Sequence, residues 1–218
     1  VVSEEALKGV TKAGFTQSYS YYTWRNSKAE LIEYVNELTQ GPGKDYFRAN
    51  FWPNTPDINP FHLQGANESK HIQRYVLAAT LSSNVGIYGP VYEQMISDAL
   101  PGREEYLNSE KFQIGHYNWK ADNWLIKLIS GINKARKEHE ALQQTNNIKF
   151  CHVENDKLLA FYKWNDDKTS EILVVISLDD HYTQRGTIQL PVYDLGIMHD
   201  HQLRMRDIIP DINYTWNG

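Results

Sequence analysis

Up to Gln143 the apolar positions of this chain switch between a helical and an extended spacing. In "NSKAELIEYVNELTQGPG", Leu31, Tyr34, Val35 and Leu38 recur at three- and four-residue intervals and predict a helix. Asn26 or Ser27 can cap it, and Gly41-Pro42-Gly43 ends it. "ESKHIQRYVLAATLS" repeats the spacing through Ile72, Tyr75, Val76, Ala79 and Thr80. "NWLIKLISGINKARKEHEAL" is a longer amphipathic helix whose basic end suits the helix dipole. "SEEALKGVTKAG" predicts a further helix, capped by Ser3 and stopped by Gly14. Between these lie "FTQSYSYYTW", "YFRANFW" and "NVGIYG", aromatic and β-branched runs that predict strands. An irregular stretch runs from Pro90 to about Lys120.

Helix and strand alternate strictly through these elements, the pattern of βα units on a parallel sheet. The pattern breaks near Gln143. Beyond it come strands only: "IKFCHV", "KLLAFYKW", "EILVVISL", "GTIQLPV", "HQLRMRDII" and "YTWNG". "LLAFYKWNDDKTSEILVVISL" predicts a hairpin with a polar tip at Asn165–Ser170. The expected organisation is therefore an α/β part over residues 1–144 and an all-β, antiparallel domain over residues 145–218.

Composition narrows the function. With 41% hydrophobic and 22% charged residues, the chain can build a sizeable globular core. A net charge of −5, with no basic stripe, argues against a nucleic-acid partner. No apolar run reaches the roughly 18 residues of a membrane span, so no membrane partner is expected. The lone cysteine, Cys151, excludes an intramolecular disulfide and predicts a small buried residue in a strand. It also points to a reducing, cytoplasmic location. The histidines show no metal-ligand spacing, and His62 and His71 read as surface residues. "GPGK" lacks the phosphate-cradle pattern.

In parallel α/β folds, ligands bind at the carboxyl ends of the strands. The first strand end delivers Tyr19, Tyr21, Tyr22, Trp24 and Arg25. The second delivers Asn54 and Asp57, and the third Tyr88, Gly89 and Tyr92. Pro53 and Pro56 restrict the backbone ahead of Asp57. Local pattern leaves two roles open for this acid: a carboxylate facing a ligand, or a residue that closes a turn or caps a helix. Lys111, in the irregular stretch, reads by default as a solvated lysine.

Five strings, "GFTQSYSYYTWRN", "FWPNTPDI", "VLAATLSSNVGIYG", "REEYLNSEKFQI" and "INKARKEHEAL", occur in an order and at intervals that resemble the second half of an α-amylase-superfamily enzyme, glycoside hydrolase family 13. The resemblance implies the C-terminal part of a (β/α)8 TIM barrel, about strands 6–8 with their helices, followed by an antiparallel β-sandwich C-domain lacking its final strand. It implies retaining chemistry, with a nucleophilic Asp, a Glu acid/base and a second Asp that grips the donor sugar in an oxocarbenium-like transition state. Asp57 matches that second Asp, and Asn54 matches a residue holding the same sugar. Lys111 and Phe112 match a Lys-Tyr pair that contacts a donor disaccharide, with the tyrosine hydroxyl absent at Phe112. Tyr22 and Arg25 complete the expected substrate-binding set.

The matching segment begins after the strand that carries the acid/base. Nucleophile and acid/base therefore match nothing here, and the isolated chain is expected to be inactive. The activity implied for the parent is transfer of maltosyl units from maltose-1-phosphate to α-1,4-glucan in glycogen metabolism. "NTPD" favours this over an amylase-type hydrolase, whose string there is Asn-His-Asp; a non-catalytic carbohydrate-binding or structural module is the remaining alternative. The implied partner is an α-glucan or maltosyl donor, and carboxylates carry the chemistry without a metal or organic cofactor. Two open edges on a three-stranded sheet lead to an expectation of homo-oligomers.

Overall fold

The helices begin where the capping residues place them. In the computed structural model, which describes residues 4–196 and 202–217, α1 spans Glu4–Lys12 and α2 spans Lys28–Gln40. Ser3, the expected cap of α1, lies outside the described residues. Ser27 caps α2 in a reciprocal box: the Glu30 N–H donates to Ser27 Oγ at 3.3 Å, and the Ser27 N–H donates to the Glu30 carboxylate at 2.9 Å. Those backbone donors hold the Glu30 carboxyl below its ordinary range. Asn67 caps α3 (Glu68–Leu81), and Asn123 caps α4 (Trp124–Glu138), each accepting from an N–H in the first turn.

The first three strands are shorter than the aromatic runs predict: β1 is Ser18–Tyr19, β2 is Ala49–Phe51 and β3 is Asn84–Val85. They pair in parallel in the order β1-β2-β3, as the alternation requires. After β1 the chain coils into a 3-10 turn, Tyr21–Trp24. Extended backbone would leave the Tyr22 ring outside the core. The turn instead stacks it on Phe51, with ring centroids 4.6 Å apart. Ala49 and Phe51 join Leu31, Tyr34 and Leu77 in one apolar cluster under the helices.

The antiparallel sheet follows. It runs β6-β5-β4-β7, from β4 (Ile148–Val153), β5 (Leu158–Trp164), β6 (Glu171–Ser177) and β7 (Ile188–Gln189). The predicted hairpin is β5–β6, with Leu158 opposite Ser177 and Trp164 opposite Glu171. β8 (Gln202–Asp207) and β9 (Ile212–Asn217) form a separate two-stranded sheet. Central strand β5 is covered on both faces. Leu159 and Phe161 join the cluster that holds Tyr22 and Phe51, whereas Leu158, Ala160 and Tyr162 pack with Cys151 and Val153. One core thus runs through elements on both sides of residue 145.

Two histidines depart from expectation. His71 is buried, its ring 5.3 Å from that of Tyr92. His62 is half-buried with Nε2 shut away from solvent, and burial, followed by the charge of Arg74, depresses its pKa to about 3. The helical spacing placed His71 without showing that α3 packs on more than one side. Among the described residues, no helix is long and apolar enough to cross a membrane.

Lys163 continues the inward row of β5 and is 0% exposed. Its ammonium donates to the Gln144 carbonyl at 2.6 Å, and burial, reinforced by Arg136, depresses its pKa to about 7. The unfolded chain keeps this proton up to roughly pH 10.4. Between those values the unfolded state binds more protons than the folded state, so stability rises with pH in that window and falls as pH drops toward 7. Urea unfolding of wild type and Lys163→Met across this window is expected to show a rise in the wild type that the variant lacks. Parallel pH profiles would contradict the buried lysine.

Candidate active site

The site begins where β2 ends. Pro53 and Pro56 limit the backbone choices of the segment, and Thr55 folds it back. The Thr55 hydroxyl accepts from the N–H of Asp57 at 3.1 Å and of Ile58 at 2.9 Å, and the Thr55 N–H donates to the Ile58 carbonyl at 3.1 Å. The two roles left open for Asp57 are thereby separated. Thr55 closes the turn, and the Asp57 carboxylate is released from it.

That carboxylate is 65% exposed and forms an ion pair with the Lys111 ammonium, itself 40% exposed. The structure therefore brings together two of the residues singled out in the sequence. Lys111 reaches Asp57 because the long loop that carries it is fastened beneath. Asn59 donates through its amide to the Ser97 carbonyl at 2.9 Å, and the Gln64 amide donates to the Arg103 carbonyl at 2.9 Å. Glu104 accepts from the Trp24 indole at 3.0 Å and from the Phe61 N–H at 3.2 Å, joining the exit of β1 to the segment after Asp57.

Asn54 is 1% exposed, and its amide is used up inside the protein. Its Oδ1 accepts from the Tyr88 N–H at 2.9 Å, and its Nδ2 donates to the Tyr106 hydroxyl at 2.8 Å. It holds the exit of β3 and the long loop rather than presenting a polar group to a ligand, which corrects the expectation of a direct sugar contact. Tyr22 needs the same correction. It is 0% exposed, and its hydroxyl donates to the Arg74 carbonyl at 2.6 Å. Burial pushes that hydroxyl up to about 12, against the opposing charge of Arg74. Arg25 is half-buried, with its guanidinium 5.1 Å from the ring centre of Tyr34 on α2. It is thus engaged with the helix layer. Phe112, beside Lys111, is exposed.

Arg74, buried on α3, was not singled out in the sequence. It donates to the carbonyls of Arg25 at 2.6 Å and Tyr22 at 2.8 Å, and lies 4.2 Å from the Tyr22 ring centre. Three further groups escaped sequence reasoning. The Tyr88 hydroxyl donates to Glu110, Tyr117 lines the same cleft as Tyr88, and Tyr106 stands edge-on to Tyr88 at 5.8 Å. Burial chiefly pushes the Tyr106 hydroxyl up to about 12. Glu110, Tyr106 and Tyr117 lie in an aperiodic stretch, where no local pattern marks a contact. The only signal was their nearness in sequence to Lys111.

Asn54→Ala would leave the Tyr106 hydroxyl and the Tyr88 N–H without partners, and a buried polar group in that state costs about 1–3 kcal/mol. Urea unfolding is expected to show a loss of that size. An unchanged midpoint would mean the amide is not the clip described.

Comparison with known proteins shows what the chain is similar to. Residues 150–218 match the family described as GLGE, C-terminal. The chain is 43% identical over 215 residues to the α-1,4-glucan:maltose-1-phosphate maltosyltransferase of Chlorobaculum tepidum, covering 96% of this chain and 32% of that protein. It is 42% identical over 213 residues to the protein of the same name from Methylacidiphilum infernorum, covering 97% and 32%. The chain thus spans about a third of the length of these relatives. In fold it is similar to a noncanonic maltogenic α-amylase, AmyB, from Thermotoga neapolitana, with a TM-score of 0.66 at 12% identity over 94% of this chain and 46% of that one. Residues 150–218 are thus similar to the GLGE C-terminal family, and nearly the whole chain is similar to about a third of a maltosyltransferase.

Proposed function

We propose that this chain supplies the sugar-gripping acid of a retaining α-glucan transferase that moves maltosyl units from maltose-1-phosphate to α-1,4-glucan. In this reading β1, β2 and β3 with their helices, residues 1–144, are about strands 6–8 of a (β/α)8 barrel, and residues 145–218 are the β-sandwich that packs against it. The observation that carries the proposal is the state of Asp57. Its carboxylate stands at the exit of a parallel strand, relieved of the turn by Thr55 and, among the described residues, partnered by an exposed lysine. The names of the relatives supply the substrate class.

The chemistry follows from that state. An ionised carboxylate accepts hydrogen bonds from sugar hydroxyls, and these tighten as positive charge develops at the anomeric carbon and ring oxygen. Lys111 beside it donates to a sugar oxygen or to an anionic group on the donor. Exposed ion pairs contribute only about 0–1 kcal/mol, so hydroxyls can displace or share this one at small cost. Asn54 and Tyr22 contribute by fixing the ground on which the pair stands.

Maltose titration followed by tryptophan fluorescence tests the reading. The wild-type chain is expected to bind maltose in the millimolar range, and Asp57→Ala to lose at least about tenfold in affinity, equivalent to about 1.4 kcal/mol. With one of three carboxylates assigned, the chain alone is expected to release no phosphate from maltose-1-phosphate. Wild type that ignores maltose, or an Asp57→Ala chain that binds it equally well, would overturn the sugar-gripping role.

A further inference from the structure

The long loop does more than carry Lys111. Its stretch Asp98–Leu107 folds back on itself: the Leu107 N–H donates to the Asp98 carbonyl at 2.9 Å, the Leu100 N–H donates to the Glu105 carbonyl at 3.0 Å, and Ala99 bridges Tyr106. The Pro101-Gly102 tip suits a type II turn. Proline takes its second position, glycine with φ +70° its third, and the Arg103 N–H donates back to the Leu100 carbonyl at 3.1 Å. The returning arm, from Arg103 to Tyr106, meets the turn that bears Asp57. We propose that Glu104, on this arm, is a positioning residue for Asp57: its carboxylate fixes the far end of the acid-bearing turn and ties it to Trp24 at the exit of β1. The inference rests on the reading above and adds the group through which the acid is aimed.

Three observations carry it. The first is that one arm grips the turn on both sides of Asp57. Ahead of the acid, the Tyr106 hydroxyl accepts from Asn54 at 2.8 Å. Beyond it, the Glu104 carbonyl accepts from the Asn59 N–H at 3.0 Å, and the Glu104 carboxylate accepts from the Phe61 N–H at 3.2 Å. Asn59 is buried, so its backbone is a firm point of attachment. Between the two grips, the Thr55 bonds shape the turn itself.

The second is the kind of group at position 104. Two N–H donors converge on it: Phe61 on Oε1, and the Trp24 indole on Oε2 at 3.0 Å and Oε1 at 3.3 Å. A carboxylate accepts at both oxygens, whereas an amide would turn its NH2 toward one of the two N–H groups. The third is what the Trp24 bond adds. The Trp24 ring lies edge-on to Tyr21 at 5.9 Å, so the carboxylate links the turn after β1 to the turn after β2. The ion pair of Asp57 with Lys111 is exposed and weak, and cannot aim the acid by itself. Its aim comes from the backbone beneath, which Glu104 holds at one end as Asn54 holds it at the other.

The test is Glu104→Gln in the whole 218-residue chain, read by amide hydrogen exchange and by maltose titration. Exchange at Ile58 and Asn59 is expected to quicken about tenfold, while Leu77 and Ala78 on α3 keep wild-type protection. Maltose affinity is expected to fall at least about fivefold. Trp24→Phe keeps a ring and removes the indole donor; it should quicken the same two amides by about two- to threefold and guards against misfolding of the first variant. Wild-type exchange at Ile58 and Asn59 in either variant overturns the proposal. Equal loss of protection on α3 does so too, because Glu104 would then serve the fold at large rather than this turn. Quickened exchange with unchanged maltose affinity overturns the positioning role as well. Wild type that ignores maltose strikes the Asp57 reading instead, and the exchange comparison still decides on Glu104.

Discussion

The site depends on one buried amide. Asn54 accepts from the backbone of Tyr88 and donates to the hydroxyl of Tyr106, and in doing so ties the end of β2 to the exit of β3 and to the start of the lysine-bearing loop. Out of water, each of these bonds is held by the cost of leaving its partners unmade. The segment that follows is short and bounded by prolines, so its geometry passes directly from Asn54 to the Thr55 turn and on to Asp57. An isosteric Asp at position 54 could accept from Tyr88 but could not donate to Tyr106 unless it stayed protonated. An amide suits this position because it must both accept and donate.

A second anchor works from the opposite side. Arg74 is a buried cation among the carbonyls of Tyr22 and Arg25, with the Tyr22 ring beside it. Carbonyl dipoles and a ring quadrupole offset its desolvation without a buried carboxylate. Its positive field also reaches His62, where burial already disfavours the charged imidazole. The exit of β1 is thereby fixed by a charge that cannot be moved cheaply. The exposed pair on the rim, Asp57 and Lys111, is the reverse: solvent screens it, and exchange with a ligand is inexpensive.

This division explains what could be read from the sequence. Helices α2, α3 and α4 were legible because capping and apolar spacing are local, and Ser27, Asn67 and Asn123 act within one turn. The extent of β1 was not. Whether Tyr21–Trp24 stays extended is decided by Phe51 and Arg74, which are distant in sequence. Tyr22 and Asn54 were read as ligand contacts because a hydroxyl or amide at a strand end looks the same whether it meets a sugar or a backbone carbonyl. Asp57 was ambiguous by pattern, and only the neighbouring Thr55, itself a turn former, could have absorbed the competing role. Glu110, Tyr106 and Tyr117 sit where no periodicity exists to be read.

The misread residues also show how the two kinds of polar group are sorted. Groups that must not move, Asn54, Tyr22 and Arg74, are buried, where an unpaired polar atom is costly and geometry is enforced. Groups that exchange partners in the proposed function, Asp57 and Lys111, are on the rim, where water and ligand compete on nearly equal terms. Had Asp57 been buried with Lys111, desolvation would have locked the pair together and a sugar hydroxyl could not have replaced the ammonium. Had Asn54 been exposed, Tyr106 would have lost its register and the loop its aim. In the proposed sugar-gripping role, the exposure of the acid therefore counts as much as its position at the end of β2.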